Sequence, residues 1–195
     1  MKKWIYAACI MVLMFSVTGC GSSFEPSVTS MYVQKDGKIT YAVVESFEKE
    51  YYSLEEFRTM IEREVDACNS MYSEPAISIE QLEVKDGTLY LLMEFQDADA
   101  YSSYSEEYCF LGSIGEALDE GRSFDMLFKD AEYKELSAAE VTGKKEDQVL
   151  VLQTEGIVEL EKTVKYVSNN VEVISDHMVQ VMPITEEDEY AYIIY

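Results

Sequence analysis

Residues 77–95 read ISIEQLEVKDGTLYLLMEF, and this stretch sets the fold class. Two β-prone runs flank Lys85-Asp86-Gly87. Asp-Gly between such runs is the strongest short-range hairpin signal, because a type I′ turn needs positive φ at both central residues. Ile77 and Ile79 share one parity, whereas Leu82 and Val84 share the other. A β-bulge near Glu80 and Gln81 would bring all four to one face. The same Lys-Asp-Gly occurs upstream at Lys35-Asp36-Gly37, between β-prone runs at 31–34 and 39–47. Each hairpin precedes a helix-like segment, a pattern that fits an internal duplication or the chance recurrence of a common turn.

The segment between the hairpins predicts a helix. Ser53 and Glu56 have capping-box spacing, and Leu54, Phe57, Ile61, Val65, Cys68 and Tyr72 recur at steps of three and four. Pro75 ends the segment. Beyond the second hairpin, 97–109 (DADAYSSYSEEYC) reads as a polar helix or a long loop, and 114–118 as a short helix stopped by Gly121. Residues 124–140 are mixed. From Gln148 onward, β-prone runs at 148–153, 156–161, 163–167, 171–175, 178–182 and 189–195 alternate with turn-like breaks, suggesting a meander. The last run, EYAYIIY, is apolar on both parities and reads as a buried final strand. The expected fold is α+β: mainly antiparallel sheet, one long helix at about 53–72, one or two short helices, and a β-rich C-terminal third. Residues 31–195 are expected to form one acidic domain. The alternative is a division near 120–145 into a ββα-rich half and an all-β half.

The chain has 15 basic and 38 acidic residues, a formal net charge of −23. That balance excludes the clustered Lys and Arg that phosphate neutralisation requires, so no nucleic-acid partner is expected. It equally opposes lying flat on anionic lipid. The acidity reads mainly as a solvated, self-repelling surface, leaving basic partners open. Recurring Val, Ile, Leu, Phe and Tyr argue against disorder.

The N-terminus carries the most specific motif. Lys2 and Lys3 precede an apolar run over 4–17, broken only by Ser16. Such a run suits a secretory leader and falls short of the roughly 20 residues of a membrane span. Val17-Thr18-Gly19-Cys20 follows, and then Gly21, Ser22 and Ser23. This resembles the lipobox of bacterial lipoproteins. The resemblance implies that 1–19 is a cleaved signal peptide and that the Cys20 thiol carries diacylglycerol. Residues 20–30 would then be the lipidated Cys and a polar tether. It places the domain on the extracytoplasmic face of the cell membrane, held through the lipid on Cys20, with each buried methylene contributing about 0.8 kcal/mol. Trp4, Cys9 and two basic residues would leave with the leader. The late strand region and the Tyr-Ile-Ile-Tyr end also resemble uncharacterised lipoproteins of anaerobic Gram-positive bacteria, a resemblance that implies no function.

Catalytic motifs are sparse. The one histidine, His177, sits in a predicted turn, and no Cys-x-x-Cys is present. Ser46-Phe47-Glu48-Lys49 has Ser-x-x-Lys spacing, but Ser46 ends a predicted strand and no Lys-Thr-Gly follows. Asp97 and Asp99 begin like a calcium loop that Ser102 and Tyr108 then break. Glu186, Glu187 and Asp188 form a denser acidic patch, either a weak calcium site or a solvated turn. No other metal and no cofactor is expected. Cys68 and Cys109 are open to a disulfide outside the cytoplasm, or to two buried free thiols. Tyr101, Tyr104 and Tyr108 would line one face of a helix, as a contact surface or as a core stripe. Two function classes follow. The first is a non-enzymatic, lipid-anchored envelope domain that binds or scaffolds a protein or peptide. The second is an envelope hydrolase using paired carboxylates, which a sequence this acidic cannot nominate. Replacing Cys20→Ser should stop incorporation of radiolabelled fatty acid; labelling that persists would remove the lipobox assignment.

Overall fold

The computed structural model describes residues 24–184 and 189–195. The chain is α+β, with mostly antiparallel sheets and four helices among the described residues. In order, the elements are β1 (Ser30–Val33), β2 (Ile39–Ser46), α1 (Leu54–Asn69), β3 (Ile77–Lys85), β4 (Thr88–Phe95), α2 (Ala98–Ser105), β5 (Cys109–Ser113) and α3 (Ile114–Asp119). There follow β6 (Phe128–Asp130), β7 (Glu135–Leu136), α4 (Ala138–Thr142), β8 (Gln148–Leu152), β9 (Gly156–Leu160), β10 (Tyr166–Ser168), β11 (Val171–Ser175), β12 (Met178–Val181) and β13 (Ala191–Ile194).

The β3–β4 hairpin forms as its sequence dictates. Asp86 and Gly87 both take positive φ, 49° and 76°. The register steps from Ile79↔Met93 to Gln81↔Leu92, so Glu80 is the bulged residue. The bulge reunites Ile77, Ile79, Leu82 and Val84 against one hydrophobic core. The upstream Lys-Asp-Gly turn differs. There only Gly37 has positive φ, 92°, and its N–H donates to Gln34 O within a longer loop. The two hairpins lie side by side, β2 pairing antiparallel with β4.

Helix α1 begins after Ser53, whose side chain accepts from Glu56 N, but ends at Asn69, short of the expected 72. Three shorter helices accompany it, where one or two were expected. Its stripe of Leu54, Phe57, Ile61, Val65 and Cys68 faces the core. Asn69 docks the helix end: its Oδ1 accepts from Ala76 N and Ile77 N, and its Nδ2 donates to Ile77 O, each at 2.9 Å. Helices α3 and α4 each open with a complete capping box, Ser113/Glu116 and Ser137/Glu140.

The C-terminal strands do not form a meander. They are dealt between two sheets. A seven-stranded sheet has the order β11-β12-β9-β1-β2-β4-β3, and a six-stranded sheet the order β5-β8-β13-β10-β6-β7. Strand β1 pairs parallel with β9, so a break at 120–145 would cut through the first sheet. Periodicity is a local signal and carries no information about which distant strand a run will join.

The second sheet is apolar on both faces at its centre. Leu150, Leu152, Ala191 and Ile193 belong to a large cluster shared with the first sheet, α1 and α2. Val149, Val151, Tyr192 and Ile194 belong to a second cluster with Ile114 and Ala117 of α3, Val141 of α4, Phe124 and Phe128. Strand β13 is therefore buried on both parities, as its sequence implies, and it lies between β8 and β10. A chain ending at Asp188 should lose its cooperative thermal transition by circular dichroism. Ile193→Ala should cost about 2–5 kcal/mol and Ile193→Val about 1 kcal/mol. A truncated chain that melts cooperatively would contradict this placement.

Candidate functional site

Cys20 and the acidic residues Glu186, Glu187 and Asp188 lie outside the described residues. The remaining expected residues are placed. Helix α2 stops at Ser105, so Tyr101, Tyr104 and Tyr108 do not share one exposed face. Tyr101 is 2% exposed and packs edge-on against Tyr41 and Phe95. Tyr104 is half-buried against Phe95. Tyr108 lies beyond the helix and packs against the second cluster. Of the two readings of these tyrosines, the packing fits the core one, with Tyr101 and Tyr104 in the larger cluster and Tyr108 against the smaller. Ser102 explains the early stop: its Oγ accepts from Cys109 N at 3.0 Å and donates to Cys109 O, folding the chain back, while Glu106 adopts φ 61°.

Cys68 and Cys109 are free and buried, so of the two alternatives the pair of buried thiols holds. Burial pushes both thiols up, so neither is poised as a thiolate. Ser46 is exposed at the end of β2, whereas Ser168 is fully buried with its Oγ accepting from Tyr192 N. His177 Nδ1 meets Leu160 O at 3.1 Å, a contact from the β11–β12 turn to the end of β9.

Carboxylates are peripheral. No Asp or Glu among the described residues is fully buried. Those that shift clearly shift downward. Hydrogen bonds from Lys85 and Lys35 lower Glu83 and Glu161. Backbone N–H groups of the caps Ser113 and Ser137 lower Glu116 and Glu140. At Glu94 burial pushes upward, and hydrogen bonds from Lys38 and Gln34 outweigh it. A general acid needs the opposite shift. Among the described residues no cluster of His, Cys, Asp and Glu could hold a metal, and no helix is long and apolar enough to cross a membrane.

Two concave surfaces were not legible in the sequence. The first is an aromatic groove of about 480 Å³ where the loop after β2 meets the start of α1. Phe47, Tyr51, Tyr52, Phe57 and Met60 line it, with Glu45 and Glu56. Rings pack along it, Phe47 tilted against Tyr52 and Tyr52 edge-on to Tyr51, each pair with centroids 4.9 Å apart. The loop is fixed from beneath by Phe47 N donating to Gly87 O at 2.7 Å, and Glu48 crowds Gly87 so closely that a Cβ there would lie 2.7 Å from its Cγ. Tyr51 remains 77% exposed and Tyr52 43%. Their adjacency just ahead of the helix cap, outside any apolar periodicity, was the available signal.

The second is a polar cleft of about 810 Å³ between the loop after α3 and the approach to β13. Helix α3 ends in a Schellman turn: Gly121 N donates to Leu118 O, Arg122 N donates to Ala117 O, and Gly121 has φ 82°. That turn delivers Arg122 to the cleft, over the Tyr108 ring at 3.9 Å and the Tyr190 ring at 5.3 Å. Tyr192 Oη donates to Ser123 O at 2.7 Å and ties the same loop down. Asn170 Nδ2 donates to Tyr190 O and to Glu189 Oε1.

No protein-family model matches the chain, no curated protein is similar to it, and no solved structure matches it.

The buried phenols set an alkaline limit. Burial pushes Tyr104, Tyr192 and Tyr195 up to about 12 and Tyr101 higher still. An unfolded tyrosine ionises near about 10. The stability these neutral phenols carry is therefore complete below that value and is lost as pH rises through the folded values. Ultraviolet titration of phenolate should show a late-ionising set, with the melting temperature falling over the same alkaline window. All phenols ionising together in the folded protein would contradict their burial.

Proposed function

We propose that this protein is a lipid-anchored lipoprotein of the cell envelope whose extracytoplasmic domain binds a protein or peptide partner without catalysing a reaction. The anchor is the lipid on Cys20, and the contact surface is the Phe47–Tyr52–Met60 groove. The observation that carries the reading is this groove's exposed aromatic wall. Tyrosines give a large rigid contact area at low entropic cost, which is how recognition surfaces are built. The rim adds Glu45 and Glu56, and Glu48, Glu50 and Glu55 follow closely in sequence. The complementary partner is a segment that alternates apolar anchors with Lys or Arg. A hydrolase with paired carboxylates draws less support, because the described carboxylates are solvated or held below their ordinary range.

The test is a fluorescence anisotropy titration of the full chain with a dansylated Leu/Lys amphipathic peptide. Saturable binding should weaken as salt rises. It should fall about tenfold in Tyr51→Ser combined with Met60→Ser, the loss of about 1.4 kcal/mol expected of removed interface anchors. Both positions are exposed, so the variants keep the fold. Equal binding by wild type and variant would overturn the groove as the contact surface.

A further inference from the structure

We infer that the Arg122 cleft is a receptor site for a small zwitterion, an amino acid or the terminal-charge pair of a short peptide. This site is separate from the aromatic groove and does not depend on it.

Arg122 is an unsatisfied cation. Its Nε is buried with no hydrogen-bond partner, and it forms no salt bridge among the described residues. Its stabilisation comes from the Tyr108 and Tyr190 rings, whose centroids lie 3.9 and 5.3 Å from its Cζ. Tyr108 Oη beneath it is likewise buried without a partner. A guanidinium fork matches a carboxylate in bidentate geometry.

The other lining groups decide what else the ligand carries. Asp125, exposed, and Glu189 line the same cleft. A simple anion satisfies Arg122 but meets two carboxylates. A simple cation satisfies those carboxylates and is repelled by Arg122. A neutral ligand leaves the arginine uncompensated. A ligand bearing carboxylate and ammonium together meets all three, with its carboxylate on Arg122 and its ammonium on Asp125. The Asn169 side chain and Ser123 lie along the cleft to meet a peptide backbone, while Asn170 is held by Ser168, Glu189 and Tyr190 and shapes the wall. A volume of about 810 Å³ exceeds a single small amino acid and leaves room for two or three residues.

Equilibrium dialysis of the full chain in detergent tests this with radiolabelled alanyl-alanine. The inference predicts saturable binding. Alanyl-alanine amide, which lacks the carboxylate, and N-acetyl-alanyl-alanine, which lacks the ammonium, should each bind about tenfold more weakly, the loss of one charge-assisted contact. Arg122→Met should abolish binding. Asp125→Asn should weaken alanyl-alanine while leaving the N-acetyl form unchanged, and it carries the test alone if Arg122→Met does not fold. Free L-alanine binding as tightly as the dipeptide assigns the site to amino acids; weaker binding assigns it to peptides. The inference is overturned if neither alanine nor alanyl-alanine saturates the protein, if the amide binds equally, or if Asp125→Asn changes nothing.

Discussion

The fold depends on one strand inserting between two others. Strand β13 pairs antiparallel with β8 on one side and β10 on the other. Its side chains alternate between two hydrophobic clusters, Ala191 and Ile193 into the larger, Tyr192 and Ile194 into the smaller. Without it, β8 and β10 would present open edges, and both clusters would lose central members. The second sheet is complete only once β13 is in place, and β13 pairs on both sides with strands distant in sequence. The strand also organises the polar cleft. Ser168 Oγ accepts from Tyr192 N, and Tyr192 Oη holds the loop that carries Arg122. Core register and site geometry therefore rest on the same residues.

Much of the local structure could be read from residues 53–95, where each signal is satisfied by neighbours in sequence. Asp86-Gly87 dictates its own turn, the parity switch between Ile79 and Leu82 announces the bulge, and Leu54 to Cys68 repeat with helical spacing. The final EYAYIIY run was legible because apolar residues on both parities have only one physical home. What stayed hidden was partner choice. Nothing in residues 30–33 points to residues 157–160, yet they form a parallel pair. The tyrosine spacing at 101, 104 and 108 defines one face only for a helix that continues to 108, and Ser102 diverts the backbone at Cys109 before that point. Arg122 was invisible for a related reason. Its meaning lies in the rings of Tyr108 and Tyr190, which tertiary structure alone brings to it.

Charge separates surface from site. Basic side chains such as Lys35, Lys38, Lys85 and Lys165 are spent on exposed ion pairs, which contribute little to stability. Their role is to relieve self-repulsion locally in a strongly acidic chain. Against that background Arg122 is held by aromatic faces, and the aromatic groove gathers apolar rings under an acidic rim. Hydrogen-bond donors hold Glu83, Glu94, Glu116, Glu140 and Glu161 below the ordinary carboxylate range.

Native-state hydrogen exchange on the full chain measures the role of β13 most directly. Amides of Val149 to Leu152 and Ala191 to Ile194 should be the slowest in the molecule and should exchange together, at the free energy of global unfolding. Exchange of the 191–194 amides at loop-like rates, while β2 and β4 stay protected, would show that the C-terminal strand is peripheral and would contradict the account.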